Sequence, residues 1–578
     1  MIETTSLDLN QLDHYISKKC NGKEFYFGCW SPDKHDFQLS TKPDHFQVEQ
    51  GNNWIAIRNG SKHVEGLLFP KISEHDPDLI IFRGYLSEAA LHSYSPAKIV
   101  KKYWSYDLLK RHNGIFSAIR ISKNGEELTI VTDIFGLNPI YVRKIGSLVF
   151  FSSTPALLSL QDDTPNKLSW LMRLTNGFIP GQETLSEDIE LAPEASISTY
   201  TAKGQNIQKW FDYNNFPKGN EKVTNTALEL SEKSFSVAMK RCQDINFGDV
   251  ILPLSSGYDS RRIFAHLNAS QTPFSACTVQ SLLEGGDDVE ADCAIKITHD
   301  FNIDLTLFKY PPQEEWLKND IQRIFSLDGQ CQDHTWSVPT FTHYQKQKCC
   351  FYDGTGGDIF GFNDWVFRGH LEKIIPTMLP SILNKKAFPS FDILKQRLLK
   401  YKTNIPQSFN NNMLTFVLWQ TRNSSITWAQ QQAKPGHLLI HPYFDLDYID
   451  TMLRFANEDQ VVNRPQKAIL YKYWPKLASY QGTREMPITV KNKLNRRNEN
   501  NLHTLKKIVS RALKSNDSGH RTLYFFTFPA RLVLFLTQYI HLPILPNWWI
   551  KTAAEMIFWW NSRPFIIKKN STNLRNQD

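Results

Sequence analysis

Nine consecutive residues, LSSGYDSRR from Leu254 to Arg262, gather three serine hydroxyls, a glycine and an aspartate between an apolar run, Val250 to Leu252, and an amphipathic IFAHL. Hydroxyls, a glycine and the unpartnered amides of a helix start make a ready anion site, favoured further by the helix dipole. Asp259 contradicts that reading unless a cation lies between its carboxylate and the anion. Mg²⁺ fits, because it prefers oxygen and binds one or two carboxylates together with phosphate oxygens. A second carboxylate, Asp358, closes another glycine-containing loop, DGTGGD from Asp353 to Asp358. The chain contains no GxxxxGKS or GxxxxGKT, which excludes a Walker-type loop. The competing reading is structural: Ser255 or Ser256 caps the helix and Asp259 merely complements its dipole. The loop alone leaves both open.

The flanking periodicities say what must hold these loops. Up to about residue 210 short strand-like runs alternate with turn signals, among them KEFYFGCW, NWIAIRN, DLIIFRGYL, IFSAIRIS, ELTIVTD, PIYVRK and SLVFFSS, which predicts antiparallel sheets. From about 225 helix and strand alternate: ALELSEKSFSVAMKRC, DVILPL, RRIFAHL, PFSACTVQ, DVEADCAIKITHDF, LTLFKY and then KCCFYDG. That order predicts right-handed βαβ units and a parallel sheet. Beyond 370 most segments read as helix. Both glycine loops then fall at the carboxyl ends of strands, where open parallel sheets bind ligands. No internal repeat or long low-complexity segment is present.

These residues resemble the asparagine synthetase family. LSSGYDS is similar to that family's pyrophosphate loop, usually SGGxDS, and DGTGGDIFG to its SGEGADELFGG loop. NGIFSAIRI (Asn113 to Ile121), TDIFGLNPIY (Thr132 to Tyr141) and LVFFSSTPALL (Leu148 to Leu158) are similar to its glutaminase-domain segments. HPYFD (His441 to Asp445) resembles VPFLD, and QKAILYK (Gln466 to Lys472) the lysine-bearing segment that closes the site. The resemblance spans roughly residues 80 to 475. It implies a multidomain α/β protein with an N-terminal Ntn-type α/β/β/α sandwich over 1–210, a PP-loop synthetase domain over 225–485 and a C-terminal extension over 490–578. It also implies an ATP-dependent, AMP-forming ligase: a substrate carboxylate attacks the α-phosphate of ATP, and an amine displaces AMP to make an amide. Carried over residue by residue, Ser255, Ser256, Gly257 and Ser260 would cradle pyrophosphate, and Asp259 and Asp358 would hold Mg²⁺. Leu254, Val279 and Gly354 would lie against adenosine. Lys467 would stabilise the charge developing during adenylation; without the resemblance it reads as a solvated helix lysine.

Departures from the family narrow the expectation. Glutamine-hydrolysing members begin Met-Cys, whereas this chain begins Met1, Ile2, Glu3, and Cys20 and Cys29 are internal. A glutaminase scaffold lacking its nucleophile is expected. Thr355 and Ile359 replace the two acidic residues of GEGADE, which points to an amine other than glutamine-derived ammonia, as in the β-lactam synthetase and lasso-peptide cyclase relatives. A macrolactam or an amidated sugar acid of a surface polysaccharide is the expected product. Ammonia-dependent asparagine synthesis and a non-catalytic scaffold are the alternatives. Ser256 stands where the family has a second glycine, and its Cβ and hydroxyl are accommodated if the backbone stays at φ < 0. Arg261 and Arg262 read as solvent-facing, and Asp333 and His334 in QCQDHTW read as structural.

Composition bounds the rest. The 578 residues carry a formal charge of +8, but residues 491–578 hold 15 Lys and Arg against 4 Asp and Glu, so the basic character belongs to the tail. Residues 523–550 are aromatic and apolar yet interrupted by Arg531, His541, Pro529, Pro543 and Pro546, unsuited to a spanning helix. Packed helices or interfacial contact with an anionic membrane are the two readings of this tail. The start MIETTSLDLNQ has no signal-peptide pattern. Eight cysteines without CxxC spacing predict reduced thiols and a cytoplasmic protein. No nucleic-acid partner is expected.

Overall fold

The computed structural model describes residues 3–40, 44–59, 79–87, 113–176, 179, 181–217, 219–280, 288–309, 311–330, 334–335, 337–361, 396, 428–456, 459–460, 464–482, 497–515, 522–523, 526, 528–540 and 547–568. Asp333 and most of the helical expectation beyond 370 lie outside them.

Two antiparallel sheets form the N-terminal part. One has the order β11-β9-β10-β2-β5-β4, from β2 (Tyr26–Trp30), β4 (Phe46–Gln50), β5 (Trp54–Asn59), β9 (Tyr141–Ile145), β10 (Leu148–Ser152) and β11 (Glu190–Leu191). The other runs β13-β12-β8-β7-β6, from β6 (Leu79–Ser87), β7 (Asn113–Ile121), β8 (Leu128–Thr132), β12 (Ser196–Thr201) and β13 (Gly204–Lys209). Period-2 alternation decides their faces. Tyr26, Trp30 and Phe151 of one sheet and Ile81, Ile119 and Ile130 of the other share a core, so the sheets stack face to face. The intervening Phe27, Cys29 and Phe150 point outward and pack with Trp170 and Leu171 of α1 (Lys167–Asn176). On the opposite outer face, Phe82, Phe116 and Val131 join the core of the C-terminal half. The result is the expected layered α/β/β/α arrangement, with one helical layer supplied by the second half of the chain.

That second half holds a five-stranded, all-parallel sheet ordered β16-β15-β14-β17-β18: β14 (Asp249–Pro253), β15 (Ser275–Val279), β16 (Leu305–Phe308), β17 (Cys349–Tyr352) and β18 (His437–Ile440). Helices α2 (Asn225–Gln243), α3 (Tyr258–Ala269) and α4 (Val289–Phe301) fall in the predicted places. Thr224 caps α2 by accepting from Ala227 N at 3.2 Å, and Asp288 caps α4 by accepting from Ala291 N at 3.3 Å. β18 was not legible as a strand. Its four residues, His437–Ile440, are too short for a periodic signal and owe their pairing to β17.

The basic tail folds back on the first half. Helices α9 (Arg497–Ser515), α10 (Phe528–Thr537) and α11 (Asn547–Asn561) contribute Ile508, Leu534 and Trp560 to the core that contains Trp170 and Phe27. Trp170 and Trp560 meet edge to face at 5.8 Å. A final strand, β19 (Ile567–Lys568), pairs antiparallel with β1 (Glu3–Leu7), itself parallel to β3 (His35–Leu39). No described helix is long and apolar enough to cross a membrane. The seven described cysteines are buried thiols that form no disulfide among the described residues.

Candidate active site

β14 occupies the middle of the parallel sheet. The chain leaves it on one side for β15 and β16, then returns to β17 on the other, so β14 and β17 flank the switch point. The register pairs Ile251 with Phe351, which sets the loop after β14 beside the loop after β17. SSGYDS and DGTGGD therefore meet, as their positions at strand ends predicted.

Contact between them is close. A Cβ built on Gly357 would lie 2.4 Å from both Cγ and Oδ1 of Asp259, so the Asp259 side chain rests directly on the Gly357 backbone. Gly354 approaches the same turn, its Cβ position 3.3 Å from Ser260 N and 3.4 Å from Asp259 Cβ. Asp358 follows Gly357 in the short helix α6 (Gly357–Gly361); its side chain is outside what the structure describes. Thr355 N donates to Asp353 Oδ1 at 2.7 Å, and Ile359 is buried.

The first loop is braced from within. Ser260 Oγ accepts from Ser255 N at 3.1 Å and lies 3.0 Å from Ser255 Oγ, while Gly257 N donates to Ser255 Oγ at 3.1 Å. The N-cap of α3 is Gly257, with no side-chain cap. Neither Ser255 nor Ser256 caps the helix, so the structural reading of these serines is not the one adopted. Ser256 N donates to Glu290 Oε2, in the first turn of α4, at 2.7 Å. An anionic oxygen thus already sits on one amide of the loop. Leu254 is buried, with its N donating to Cys277 O at 2.8 Å, and Val279 ends the neighbouring β15, half-buried.

Both arginines after the loop correct the sequence expectation. Arg261 and Arg262 are buried, not solvent-facing. Arg261 Nη1 donates to the carbonyls of Leu477 at 2.8 Å and Tyr480 at 2.9 Å, fastening the segment whose Gly482 passes over Ser256; a Cβ on Gly482 would lie 3.0 Å from Ser256 O. Arg262 pairs with Glu232 Oε2 at 2.7 Å, donates to Gln466 Oε1 at 2.6 Å and lies 4.2 Å from the Phe235 ring centroid. Gln466 Nε2 in turn donates to Gly357 O at 3.2 Å. A chain of hydrogen bonds therefore runs from α2 through α3 and α8 (Pro465–Tyr473) to the second glycine loop. Burial pushes the Glu232 carboxyl up, but the Arg262 charge and hydrogen bonds from His266 and Trp474 outweigh it and hold Glu232 at about 2.

Lys467 lies on α8 beside Gln466, half-buried, with Nζ 5.3 Å from the Tyr471 ring centroid. Tyr443 OH donates to Asp259 O at 2.9 Å, so the HPYFD segment supports the loop through its tyrosine. His334 is half-buried with φ +68°. Glu290, Glu232 and Gly482 are site-forming residues outside the matched motifs, while Tyr443 and Gln466 lie inside them but had no role assigned. Only His266, one turn after Arg262 and bound to the same Glu232 at 2.9 Å, offered a sequence hint of an inward polar face on α3.

Cys20 and Cys29 are poor nucleophiles as placed: burial pushes Cys20 up to about 12 and raises Cys29 as well. Among the described residues no group of three or more His, Cys, Asp or Glu could hold a metal by itself.

Residues 87–159 match the model of a family described as a glutamine amidotransferase domain. No curated protein matches the chain. Among solved structures it is similar to the allosteric regulatory enzyme of purine biosynthesis, at 10% identity over 52% of this chain and 78% of that one, with a TM-score of 0.22. It is also similar to the glutamine phosphoribosylpyrophosphate amidotransferase from B. subtilis complexed with ADP and GMP, at 12% identity, 61% and 73% coverage and a TM-score of 0.21. A third is the U34-tRNA thiolase NcsA from Methanococcus maripaludis with its 4Fe-4S cluster, at 14% identity, 56% and 84% coverage and a TM-score of 0.20.

Proposed function

We propose that the chain is an ATP-dependent, carboxylate-activating ligase that forms an amide bond with release of AMP and pyrophosphate. The observation that carries this reading is the contact of Asp259 with Gly357, which joins the two loops at the switch point of a parallel sheet. Pyrophosphate would be held by the loop amides and by Ser255, Ser256, Gly257 and Ser260, with adenosine against Leu254, Val279 and Gly354. Asp259 and Asp358 fit Mg²⁺: hard oxygen donors on adjoining loops, beside an amide that already donates to an anionic oxygen of Glu290. Held there, Mg²⁺ would supply positive charge to the phosphate oxygens. Lys467 would stabilise the charge gathering on the transferring group.

The residues of the chain do the positioning. Ser260 and Ser255 fix the loop backbone, Tyr443 holds Asp259 O, and Gln466 holds Gly357 O. The carboxylate oxygen forms a bond to the α-phosphorus while the bond to pyrophosphate breaks. An amine then attacks the acyl carbon, AMP leaves with the bonding pair, and the amine loses its proton. Thr355 and Ile359, and the buried thiols of Cys20 and Cys29, favour a substrate-borne amine over ammonia taken from glutamine.

The glutamine amidotransferase match over 87–159 favours a second reading, asparagine formation from ammonia. Incubation with aspartate, ATP, Mg²⁺ and ammonium separates the two. Robust asparagine with stoichiometric AMP would establish the second reading; no asparagine, together with AMP and pyrophosphate release on supplying a carboxylate that carries its own amine, is the outcome expected here.

A further inference from the structure

Helix α10 has two apolar faces, and only one of them is used. Ala530, Val533, Leu534 and Thr537 are buried against the body of the protein. Phe528, Leu532, Phe535 and Tyr539, spaced by four, three and four residues, form a stripe on the other side and are 70%, 45%, 50% and 65% exposed. Of the eleven large apolar side chains exposed among the described residues, six lie between 528 and 548. The exposure is therefore a concentrated patch, of the kind that marks an interaction surface, and not the scatter usual for a soluble protein.

The charge beside the patch selects its partner. On α9, Lys507, Arg511 and Lys514 are exposed at spacings of four and three, a second stripe on a helix that packs against α10. Lys506 Nζ donates to Tyr539 O at 3.1 Å, so basic side chains stand at the edge of the apolar stripe. Residues 500–554 contain seven Lys and Arg but one carboxylate, Asp517. Aromatic and aliphatic side chains bordered by exposed cations match an anionic bilayer, where rings sink into the headgroup and acyl boundary and cations meet lipid phosphates. Neither helix is long and apolar enough to cross a membrane.

We infer that α9 and α10 dock this protein on an anionic phospholipid surface, with Phe528, Leu532, Phe535 and Tyr539 inserted and Lys507, Arg511 and Lys514 above them. This placement is independent of the reaction proposed for the parallel-sheet site.

Co-sedimentation of the full chain with phosphatidylcholine vesicles, and with vesicles of equal phosphatidylserine and phosphatidylcholine, tests it. Binding is expected to the serine-containing vesicles alone and to weaken as salt rises, since screening shortens the reach of the cations. Leu532→Ser/Phe535→Ser is expected to lower partitioning at least about tenfold, and Lys507→Gln/Arg511→Gln/Lys514→Gln by about fivefold per charge. Ile207→Ser, an exposed apolar position on β13, is expected to bind as the unaltered chain does. All substituted positions are exposed, so unchanged thermal unfolding is the check that the variants are folded. No binding to serine-containing vesicles, or equal binding by the folded α10 variant, would overturn the inference. So would a lipid-independent dimer of the unaltered chain that the α10 substitutions dissolve, because the stripe would then be covered by a second copy.

Discussion

Single residues carry the tightest constraints at the site. Gly357 has no room for a side chain, because its Cβ would collide with the Asp259 carboxylate at 2.4 Å. Gly357→Ala must therefore displace Asp259, and activity should fall on the order of 100-fold while stability drops by about 1–3 kcal/mol, the usual scale of overpacking; comparing steady-state rates with urea midpoints separates the two effects. Lys434 makes a second prediction. It is buried, donates to Asn21 O, and burial together with nearby Lys23 lowers it to about 7, although Cys20 pulls the other way. The folded state then releases the Lys434 proton at lower pH than the unfolded state, so stability should rise with pH between about 7 and 10.5. Lys434→Met should flatten that slope and stabilise the protein by on the order of 4 kcal/mol at pH 7 and below, as read by urea unfolding across that range. Asp259 was legible as a candidate because it follows a glycine at a strand-to-helix junction. Glu290, which accepts the Ser256 amide, was not, since nothing in the sequence aims a carboxylate at a loop 34 residues away.

At the scale of elements, buried charge fixes how helices meet the glycine loops. Arg262 joins Glu232 on α2 to Gln466 on α8 and is fully buried. Holding Glu232 at about 2 against an ordinary carboxyl value of 4.5 means that its stabilisation is complete above about pH 4.5 and lost as pH falls towards 2. The amount is roughly 3 kcal/mol, and Glu232→Gln should remove that acid-side dependence, observable as a smaller loss of melting temperature between pH 5 and 3. Gln466→Leu should leave α8 folded yet weaken the hold on Gly357 O, costing about 1–2 kcal/mol of transition-state stabilisation. Strand and helix order was legible because periodicity survives in a single sequence. The orientation of RR in RRIFAHL was not: charge argues for solvent, and only the partners Glu232, Leu477 O and Tyr480 O reverse it.

Across the whole molecule, the C-terminal extension completes the first half of the chain. Trp559, Trp560 and Ile557 share a core with Leu12, Phe27 and Trp170, and α11 sends Glu555 to Arg323 on α5 (Gln313–Ser326), an ion pair with no exposed surface on either side. Glu555→Ala leaves Arg323 its ion pair with Asp320, at 2.8 Å, and should cost about 1.5–3 kcal/mol, the scale of one charged hydrogen bond, a loss readable in thermal unfolding. The sequence made the tail's charge and aromatic content plain but not its docking, because β19 and β1 pair residues more than 500 positions apart. The antiparallel strands and the parallel sheet, by contrast, followed from local pattern, and the layered sandwich from the family resemblance. The central claim concerns the joined loops of β14 and β17, and calorimetric titration of Mg-ATP into the full chain and into Asp259→Ala tests it most directly. Saturable, Mg²⁺-dependent binding to the unaltered chain that is lost in Asp259→Ala is the predicted result; absence of binding to the unaltered chain, or equal affinity in the two proteins, would contradict the account.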